Sequence, residues 1–289
     1  MEYCFNFVQT LVSYFLGGTM KSTMSEPSLV SFTFPLTKTL SCCLRYLCIQ
    51  SNAIKIIFSH RCGSSELRLA GINIPECSFS EIVIEVFHNN RIVEAANADI
   101  TSIKKSVSWA VDGPLMFRAL RLFEGSNPLT LELTCDLTSV LMYQEECGRW
   151  ARIGALHDLG PILNVDHGII VLHRVYDLQA FCHIVRFIAT SEEVKCTVAL
   201  RFDNMQTFIE LKNSNSTASA LVEGELLQGH VEGSARTAEL FGFAELAMRV
   251  GGTAALFVGL GSDNLAMFRL DWQSVPTERS SAFLYFSGS

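Results

Sequence analysis

Three pairs of neighbouring residues carry side chains that could take part in catalysis. Glu145–Glu146 and Glu192–Glu193 could bind a divalent metal for nuclease chemistry, because carboxylate oxygens are the ligands that hard cations prefer. Each pair falls at a predicted strand end or turn, where solvated acids are common. Cys182–His183 could form a thiolate–imidazole pair, but consecutive side chains of a predicted helix point to different sides. The sequence contains no GxxxxGK[ST], HExxH or GxGxxG motif, so we predict no catalytic residue, metal or cofactor.

The composition is compatible with one large domain or two of ordinary size. The chain has 289 residues, of which 49% are hydrophobic, and this is sufficient for an extensive core. The formal net charge of −7 argues against a protein that is basic throughout, but it permits a basic patch on an acidic body. The ten cysteines include no CxxC pair, and we interpret them as small buried side chains in a reducing compartment.

Residues 1–28 are predicted to be an N-terminal extension. The first twenty are apolar, lack the basic start of a signal peptide, and are too short and interrupted to span a bilayer comfortably. An additional strand or a disordered extension is the expectation, with translation starting at Met20 or Met24 as a further option. We assign this segment no function.

The remainder alternates in hydrophobicity as strands do, with four helical windows at 37–50, 101–111, 178–190 and 234–250. The segment 158–168 has no strong period, contains Gly160–Pro161, and separates two halves with the same order of elements. This pattern favours duplication over coincidence. We therefore predict an α+β fold of two similar domains, 29–157 and 169–289, joined by an interdomain connector at 158–168. Each domain is expected to pack two helices on antiparallel sheets.

Basic residues are concentrated in the predicted helices. These windows hold seven of the 22 basic and two of the 29 acidic residues, so they carry +5 whereas the rest of the chain carries −12. In the helix at 178–190, Phe181, Ile184 and Ile188 form one face and Arg186 lies on the other. Such charges are often merely solvated. Their repetition on separate helices favours contact with a polyanion, where lysine and arginine bind phosphates without reading sequence.

Several stretches of the chain resemble the ring-shaped sliding clamps related to PCNA. They are DITSIKKSVSWAVD before a predicted meander, the connector after RWARIGALH, DLQAFCHIVRF followed by VALRF, and the closing SDNLAMFRLDW and SAFLYFSG. The resemblance covers about Leu29 to Ser289. It implies two similar domains, each with two helices lining a DNA-sized hole and antiparallel sheets forming the outer wall.

The run LTLELTCDLTSVLMYQEECGRWARIGAL is most similar to the Rad-one-type subunit of the heterotrimeric nine-one-one (9-1-1) DNA-damage checkpoint clamp. The Hus-type subunit remains an alternative. The resemblance implies a non-catalytic nuclear protein that encircles duplex DNA with two other clamp-like subunits. It also implies loading by an ATP-dependent clamp loader and recruitment of client repair or checkpoint proteins.

The same resemblance assigns roles to three sets of residues. The expected DNA-facing residues are Lys38, Arg45, Lys104, Lys105, Arg186 and Arg236. The subunit interface is expected at two edge strands, through Arg149, Trp150, Arg152, Ala218, Ala220 and Val222. A client pocket is expected at Leu156, Leu159, Pro161, Ile162 and Leu163, although these residues could simply anchor the connector to the sheets.

Two other classes of function remain open from the sequence. One is a metal-dependent nuclease that uses the paired glutamates. The other is an α+β protein-interaction scaffold that does not bind DNA.

Overall fold

Sixteen strands and four α-helices form the part of the chain that the computed structural model describes. That part comprises residues 28–34, 37–61, 64–73, 78–86, 106–123, 127–156, 169–203, 205–223, 231–250, 254–261, 265–273 and 278–287. None of the helices described in these ranges is long and apolar enough to cross a membrane.

The two halves of the chain have the same order of elements. The first half contains β1 (Ser28–Phe34), α1 (Thr37–Gln50), β2 (Ala53–Arg61), β3 (Ser64–Asn73), β4 (Ser78–Val86), β5 (Ser106–Asp112), α2 (Gly113–Leu120), β6 (Leu129–Thr134), β7 (Ser139–Gln144) and β8 (Arg149–Leu156). The second contains β9 (Ile169–Val175), α3 (Leu178–Ala189), β10 (Lys195–Asp203), β11 (Gln206–Lys212), β12 (Thr217–Glu223), β13 (Val231–Arg236), α4 (Thr237–Val250), β14 (Ala255–Gly261), β15 (Leu265–Trp272) and β16 (Glu278–Ser287). The predicted α+β fold of two similar domains is therefore confirmed.

All the described strands belong to one antiparallel sheet system. Its order is β1-β6-β7-β8-β5-β2-β3-β4-β16-β15-β14-β9-β12-β11-β10-β13. The halves meet where β4 pairs with β16, in a register that runs from Phe79 opposite Tyr285 to Val86 opposite Glu278. This ladder joins strands from both halves into one continuous surface, since backbone hydrogen bonds between neighbouring strands cross the boundary without interruption.

The helices pack against one face of this surface, side by side in the order α2-α1-α4-α3. Each helix buries an apolar stripe, as the pattern of α3 illustrates with Phe181, Val185 and Ile188 all at most 1% exposed. The buried side chains of helices and strands form one continuous core across both halves. At the α1–α4 contact, a Cβ added to Gly242 would lie 2.4 Å from Ile49 Cδ1, so glycine allows these two helices to approach closely.

The helix predicted at 101–111 is wrong for residues 106–111, which are the part of that window that the structure describes. Residues 106–112 form strand β5, which pairs with β2 from Ser106 to Asp112 and with β8 at Ala110 and Val111. Trp109, Ala110 and Val111 are buried in succession, because a strand within a two-layer structure can be covered on both faces. Three consecutive apolar residues satisfy either a helical or a buried-strand pattern.

The second helix of the first half instead begins directly after β5, in a stretch predicted to be a strand. Asp112 is its N-cap and accepts a hydrogen bond from Leu115 N at 2.7 Å, and Pro114 lies in its first turn. Gly113–Pro114 therefore starts a helix directly after the window predicted to be helical. The fourth helix also begins later than predicted, at Thr237, because residues 234–236 belong to β13.

A buried carboxylate lies where the two halves meet. Glu239 of α4 is 0% exposed, and its Oε1 accepts a hydrogen bond from Ser78 Oγ of β4 at 2.9 Å. The same oxygen forms an ion pair with Arg236 Nη1 at 3.4 Å. Close by, Tyr46 and Ser80 share a buried hydrogen bond of 2.5 Å. Since a buried charge is costly unless it is paired, Glu239 fixes α4 against the first half of the chain.

Replacing Glu239 by alanine should lower the free energy of unfolding by about 3 kcal/mol, because the buried ion pair is broken while Arg236 retains some access to water. Urea denaturation measures the change. Glu245→Ala on the same helix is the matched control: its ion pair with Arg186 is partly exposed, so it should alter stability by no more than about 1 kcal/mol. Equal effects of the two substitutions would contradict the role of Glu239.

Candidate nucleic-acid interface

Three exposed arginines lie on the helix face that points away from the sheet. Arg45 is on α1, Arg186 on α3 and Arg249 on α4. Because the helices lie side by side, their outward stripes form one surface, which we call the helix-layer face. This face brings together positive charges that are more than two hundred positions apart in the sequence.

One carboxylate links two of these arginines. Glu245 of α4 binds Arg186 Nη2 at 2.8 Å through Oε1 and Arg249 Nη2 at 3.6 Å through Oε2. The hydrogen bond from Arg186, with the positive charges of both arginines, holds the pKa of Glu245 below its ordinary value. The carboxylate therefore remains ionised at neutral pH, so Arg45, Arg186, Arg249 and Glu245 together carry a charge of +2.

Large apolar side chains are also exposed on the helix-layer face. They are Ile49 of α1, Phe187 of α3, and Phe241 and Met248 of α4. Ile49 lies against Gly242, next in sequence to Phe241. Phe187 follows Arg186, which is itself joined to α4. The face is thus amphipathic, with arginines and exposed hydrophobic side chains interleaved, and not uniformly basic.

The predicted DNA-facing residues have different positions in the structure. Arg45 and Arg186 lie on the helix-layer face, and Lys38 lies in the first turn of α1. Arg236 is in strand β13, not in a helix, and its guanidinium is paired with buried Glu239. Lys104 and Lys105 lie outside the described residues, and the described part of their predicted helix, from Ser106 onward, is strand β5.

The sequence reading missed the basic residues of α2 and of the turn that follows it. Arg118 donates from Nε to Pro114 O at 3.4 Å, and Arg121 lies 5.5 Å from the ring centroid of Phe117. Both are exposed. The signal that could have found them is the triplet Asp112–Gly113–Pro114, since an N-cap aspartate before proline marks a helix start.

Strands β8 and β12 are each paired along only one side over most of their length. β8 pairs with β7 through residues 149–154, and with β5 only at Ala155 and Leu156. β12 pairs with β11 through residues 217–222, and with β9 only at Val222 and Glu223. Within the described ranges, the other side of each strand has no ladder partner, which is the usual template for pairing with another chain.

The side chains predicted for the subunit interface are mostly engaged within the chain. Arg149 Nη1 donates to Leu122 O at 3.0 Å, and Arg152 Nε donates to Ser139 Oγ at 2.9 Å. Ala220 and Val222 are buried in the core, Ala218 packs against it, and Trp150 is half-buried. At β12, an intermolecular contact would therefore use the backbone edge and the outward side chains of Thr217 and Ser219.

A second apolar cluster lies on the sheet face opposite the helices. Its members are Ala70 of β3, Phe79 of β4, Met267 of β15, and Phe283 and Tyr285 of β16, each at most 8% exposed. We call it the back-face cluster. Consecutive apolar residues in AFLYF, which imply burial on both strand faces, are the sequence signal for the back-face cluster.

Of the predicted client pocket, Leu156 is 41% exposed at the end of β8. Leu159, Pro161, Ile162 and Leu163 lie outside the described residues.

The side chains first considered for catalysis are hydrogen-bonded within the chain, exposed in a turn, or buried. The Glu193 carboxylate accepts hydrogen bonds from the Ser214 N–H at 3.0 and 3.1 Å and from the Ser214 hydroxyl, and these bonds lower its pKa. Glu145 and Glu146 are exposed in a short 3-10 turn. Burial raises the pKa of Cys182 to about 11, so its thiol is protonated at neutral pH. Among the described residues, no group of three His, Cys, Asp or Glu side chains could hold a metal.

Two solved structures of PCNA have a similar fold. Proliferating Cellular Nuclear Antigen from Entamoeba histolytica superposes with a TM-score of 0.62 over 91% of this chain and 100% of that one, at 12% identity. A structure of the C-terminal region of FEN-1 bound to A. fulgidus PCNA gives a TM-score of 0.59, covering 90% of this chain and 98% of that one, also at 12% identity. The chain therefore has the PCNA-like sliding-clamp fold.

The chain belongs to a family described as a domain of unknown function, DUF7881. The model of its N-terminal domain matches residues 25–159, and the model of its C-terminal domain matches residues 160–284. No curated protein matches the sequence. The family description assigns no activity, so a functional proposal must come from the fold and from the surfaces described above.

Because the Glu193 carboxylate accepts hydrogen bonds from Ser214, the stability of a Glu193→Gln variant relative to the wild type should depend on pH. Hydrogen bonding lowers the pKa of the folded carboxyl group, so its stabilisation is present above the unfolded pKa and is lost as the pH falls through the folded pKa. The variant should be less stable than the wild type at neutral pH, and the difference should disappear in acid. Thermal unfolding across pH measures this, with Glu192→Gln as the control. If Glu193 instead bound a metal, Mg²⁺ or Mn²⁺ would raise the stability of the wild type but not that of Glu193→Gln.

Proposed function

We propose that this chain is a non-catalytic subunit of a ring-shaped sliding clamp that encircles duplex DNA without sequence preference. The observation that carries the proposal is the partly unpaired edge of β8 in the first half and of β12 in the second half. A clamp must close around DNA through repeated contacts between subunits, and those contacts need matching surfaces at opposite ends.

The internal junction supplies a template for the contact between subunits. β16, the last strand of the second half, pairs with β4 of the first half. The equivalent strands by position in the repeat are β8 and β12, and each of them is paired on only one side over most of its length. Pairing β8 of one subunit with β12 of the next would repeat the β4–β16 ladder at every junction. The sheet would then continue around the ring, with the helix layers facing its centre.

The distribution of charge supports a polyanion at the centre of such a ring. The four helices hold five of the 22 basic and two of the 29 acidic residues, so they carry +3 and the rest of the chain carries −10. Duplex DNA would be attracted to the helix-layer face and repelled by most of the remaining surface. Binding through counterion release requires no fixed register, so a ring held in this way can slide.

The finer assignment follows the resemblance of residues 129–156 to the Rad-one-type subunit. In this proposal the chain forms a heterotrimeric ring with two other clamp-like subunits, is placed on DNA in the nucleus by an ATP-dependent loader, and serves DNA-damage checkpoint signalling and repair. Client proteins would dock at the connector 158–168.

Replacing Ser219 by proline should separate the chain from its neighbours in the ring. Leu221 O accepts the Tyr176 N–H at 3.1 Å, so the backbone groups of Leu221 point away from β11. By the alternation of an antiparallel strand, those of Ser219 do so too. Proline there removes an outward donor without breaking the β11 ladder. It should weaken association by about tenfold or more, since about 1 kcal/mol of hydrogen bonding is lost and the ring adds a steric clash.

The measurement is co-purification of partner subunits, including other copies of this chain, with the tagged protein from its own cells. Ser219→Ala keeps the N–H group and should retain the partners, and circular dichroism should show that both variants are folded. A folded Ser219→Pro protein that retains a full complement of partners would refute the proposed junction.

Reversing the charge of Arg45 should weaken association with DNA, because Arg45 is an exposed cation on the helix-layer face. The affinity of Arg45→Glu for a duplex should be lower at every salt concentration, and the slope of log K against log salt should fall by about one for each lost phosphate contact. Arg279→Glu, which alters an exposed arginine of β16 on the opposite face of the sheet, is the matched control. Fluorescence anisotropy over a salt series that shows equal losses for both variants would contradict the assignment.

A further inference from the structure

The exposed hydrophobic side chains of the helix-layer face are not explained by the attraction of phosphates. Phe187 is 54% exposed, Ile49 40%, and Phe241 and Met248 37% each. Phosphate oxygens form hydrogen bonds and ion pairs, so they give no stabilisation to an aromatic ring or an aliphatic chain. In intact duplex the flat faces of the bases are covered by their stacked neighbours. A ligand that uses this surface fully must present both negative charge and accessible apolar faces.

The helix packing brings these side chains close to the arginines. The close approach at Gly242 sets Ile49 beside the turn of α4 that carries Phe241. The ion pair between Arg186 and Glu245, at 2.8 Å, ties α3 to the next turn of α4. Phe187 and Met248 therefore lie in the same region as Arg186 and Arg249. Rigid helices hold this arrangement, which we call the arginine–aromatic patch: Arg45, Ile49, Arg186, Phe187, Phe241, Met248 and Arg249.

We propose that the arginine–aromatic patch also binds single-stranded nucleic acid, through its unpaired bases. This inference rests on the proposed function, because it assigns a ligand to the same helix-layer face. Proteins that bind single strands combine a positively charged surface for the backbone with aromatic side chains on which unpaired bases stack. Here Phe187 and Phe241 supply the stacking surfaces, while Arg45, Arg186 and Arg249 neutralise phosphates or stack on bases themselves.

A second copy of the chain fits this face less well. In a two-fold contact between identical surfaces, the arginines of one copy would approach those of the other. The net charge of +2 on each side would then be partly removed from water without an opposing charge, which is unfavourable. A polyanion with exposed bases satisfies both the charge and the apolar area, and the chemistry of the patch therefore favours it.

The test compares the full-length protein with four variants, using a fluorescently labelled oligothymidine strand and a labelled duplex of the same length. Phe187→Ala and Phe241→Ala remove the proposed stacking surfaces. Phe202→Ala is the matched control, since Phe202 is an aromatic side chain of β10 that is 52% exposed and lies outside the helix layer. Arg186→Ala reports the charge contribution. Sedimentation of each protein without nucleic acid detects self-association through the same face.

The expected result is binding of both ligands, with a loss on the order of tenfold in single-strand affinity for each patch phenylalanine replaced and no loss in duplex affinity. Phe202→Ala should bind as the wild type does, and Arg186→Ala should weaken binding of both ligands. Single-strand binding that the phenylalanine substitutions leave unchanged would overturn the inference and leave the ring proposal standing. A phenylalanine-dependent change in sedimentation would instead assign the patch to contacts between copies. Failure to bind either ligand would refute the inference, whereas the ring junction is judged separately by co-purification.

Discussion

The ladder between β4 and β16 is the constraint on which the rest of this structure depends. It joins the two halves through eight residue pairs and fixes the direction in which the sheet continues from one half into the other. With that junction set, α1 and α4 must lie side by side, and α2 and α3 must take the outer positions of the helix layer. The buried contact between Ser78 and Glu239 holds α4 against the first half at the same place. A single backbone pairing thus determines both the continuous sheet and the shared helix face.

The same pairing has counterparts in β8 and β12, each of which is paired on only one side over most of its length. If the halves are repeats, β8, the last strand of the first half, is the counterpart of β16, the last strand of the second half. The junction inside the chain can then be repeated between chains. The charge of the helix layer is modest, and Glu245 neutralises part of it. Weak, salt-sensitive attraction suits a protein that must move along a polyanion, whereas a strongly basic channel would hold its ligand in place. Under the inference drawn above, the exposed phenylalanines would add base stacking to that attraction.

The sequence was sufficient to predict those elements whose local signals agree with their burial. Helices α1 and α3 follow their apolar stripes, and most of the strands follow their alternation. The window 101–111 was misread because Trp109, Ala110 and Val111 are buried together by neighbours on both sides, and periodicity alone does not distinguish such a strand from a helix. The capping pair Asp112 and Pro114 carried the correct signal for α2. The pairing of Arg236 with Glu239, the link from Arg186 through Glu245 to Arg249, and the approach of Ile49 to Gly242 depend on long-range packing. No local pattern contains that information.

The central claim is that the assembled protein encloses DNA topologically. The most direct measurement is to isolate the native complex on nicked circular DNA at a salt concentration that removes non-specific binding, and then to cut the circle once with a restriction enzyme. A ring predicts that the protein stays bound while the DNA is circular and is released when a free end appears. Retention on the linear product, or release from the intact circle at the same salt concentration, would contradict the account.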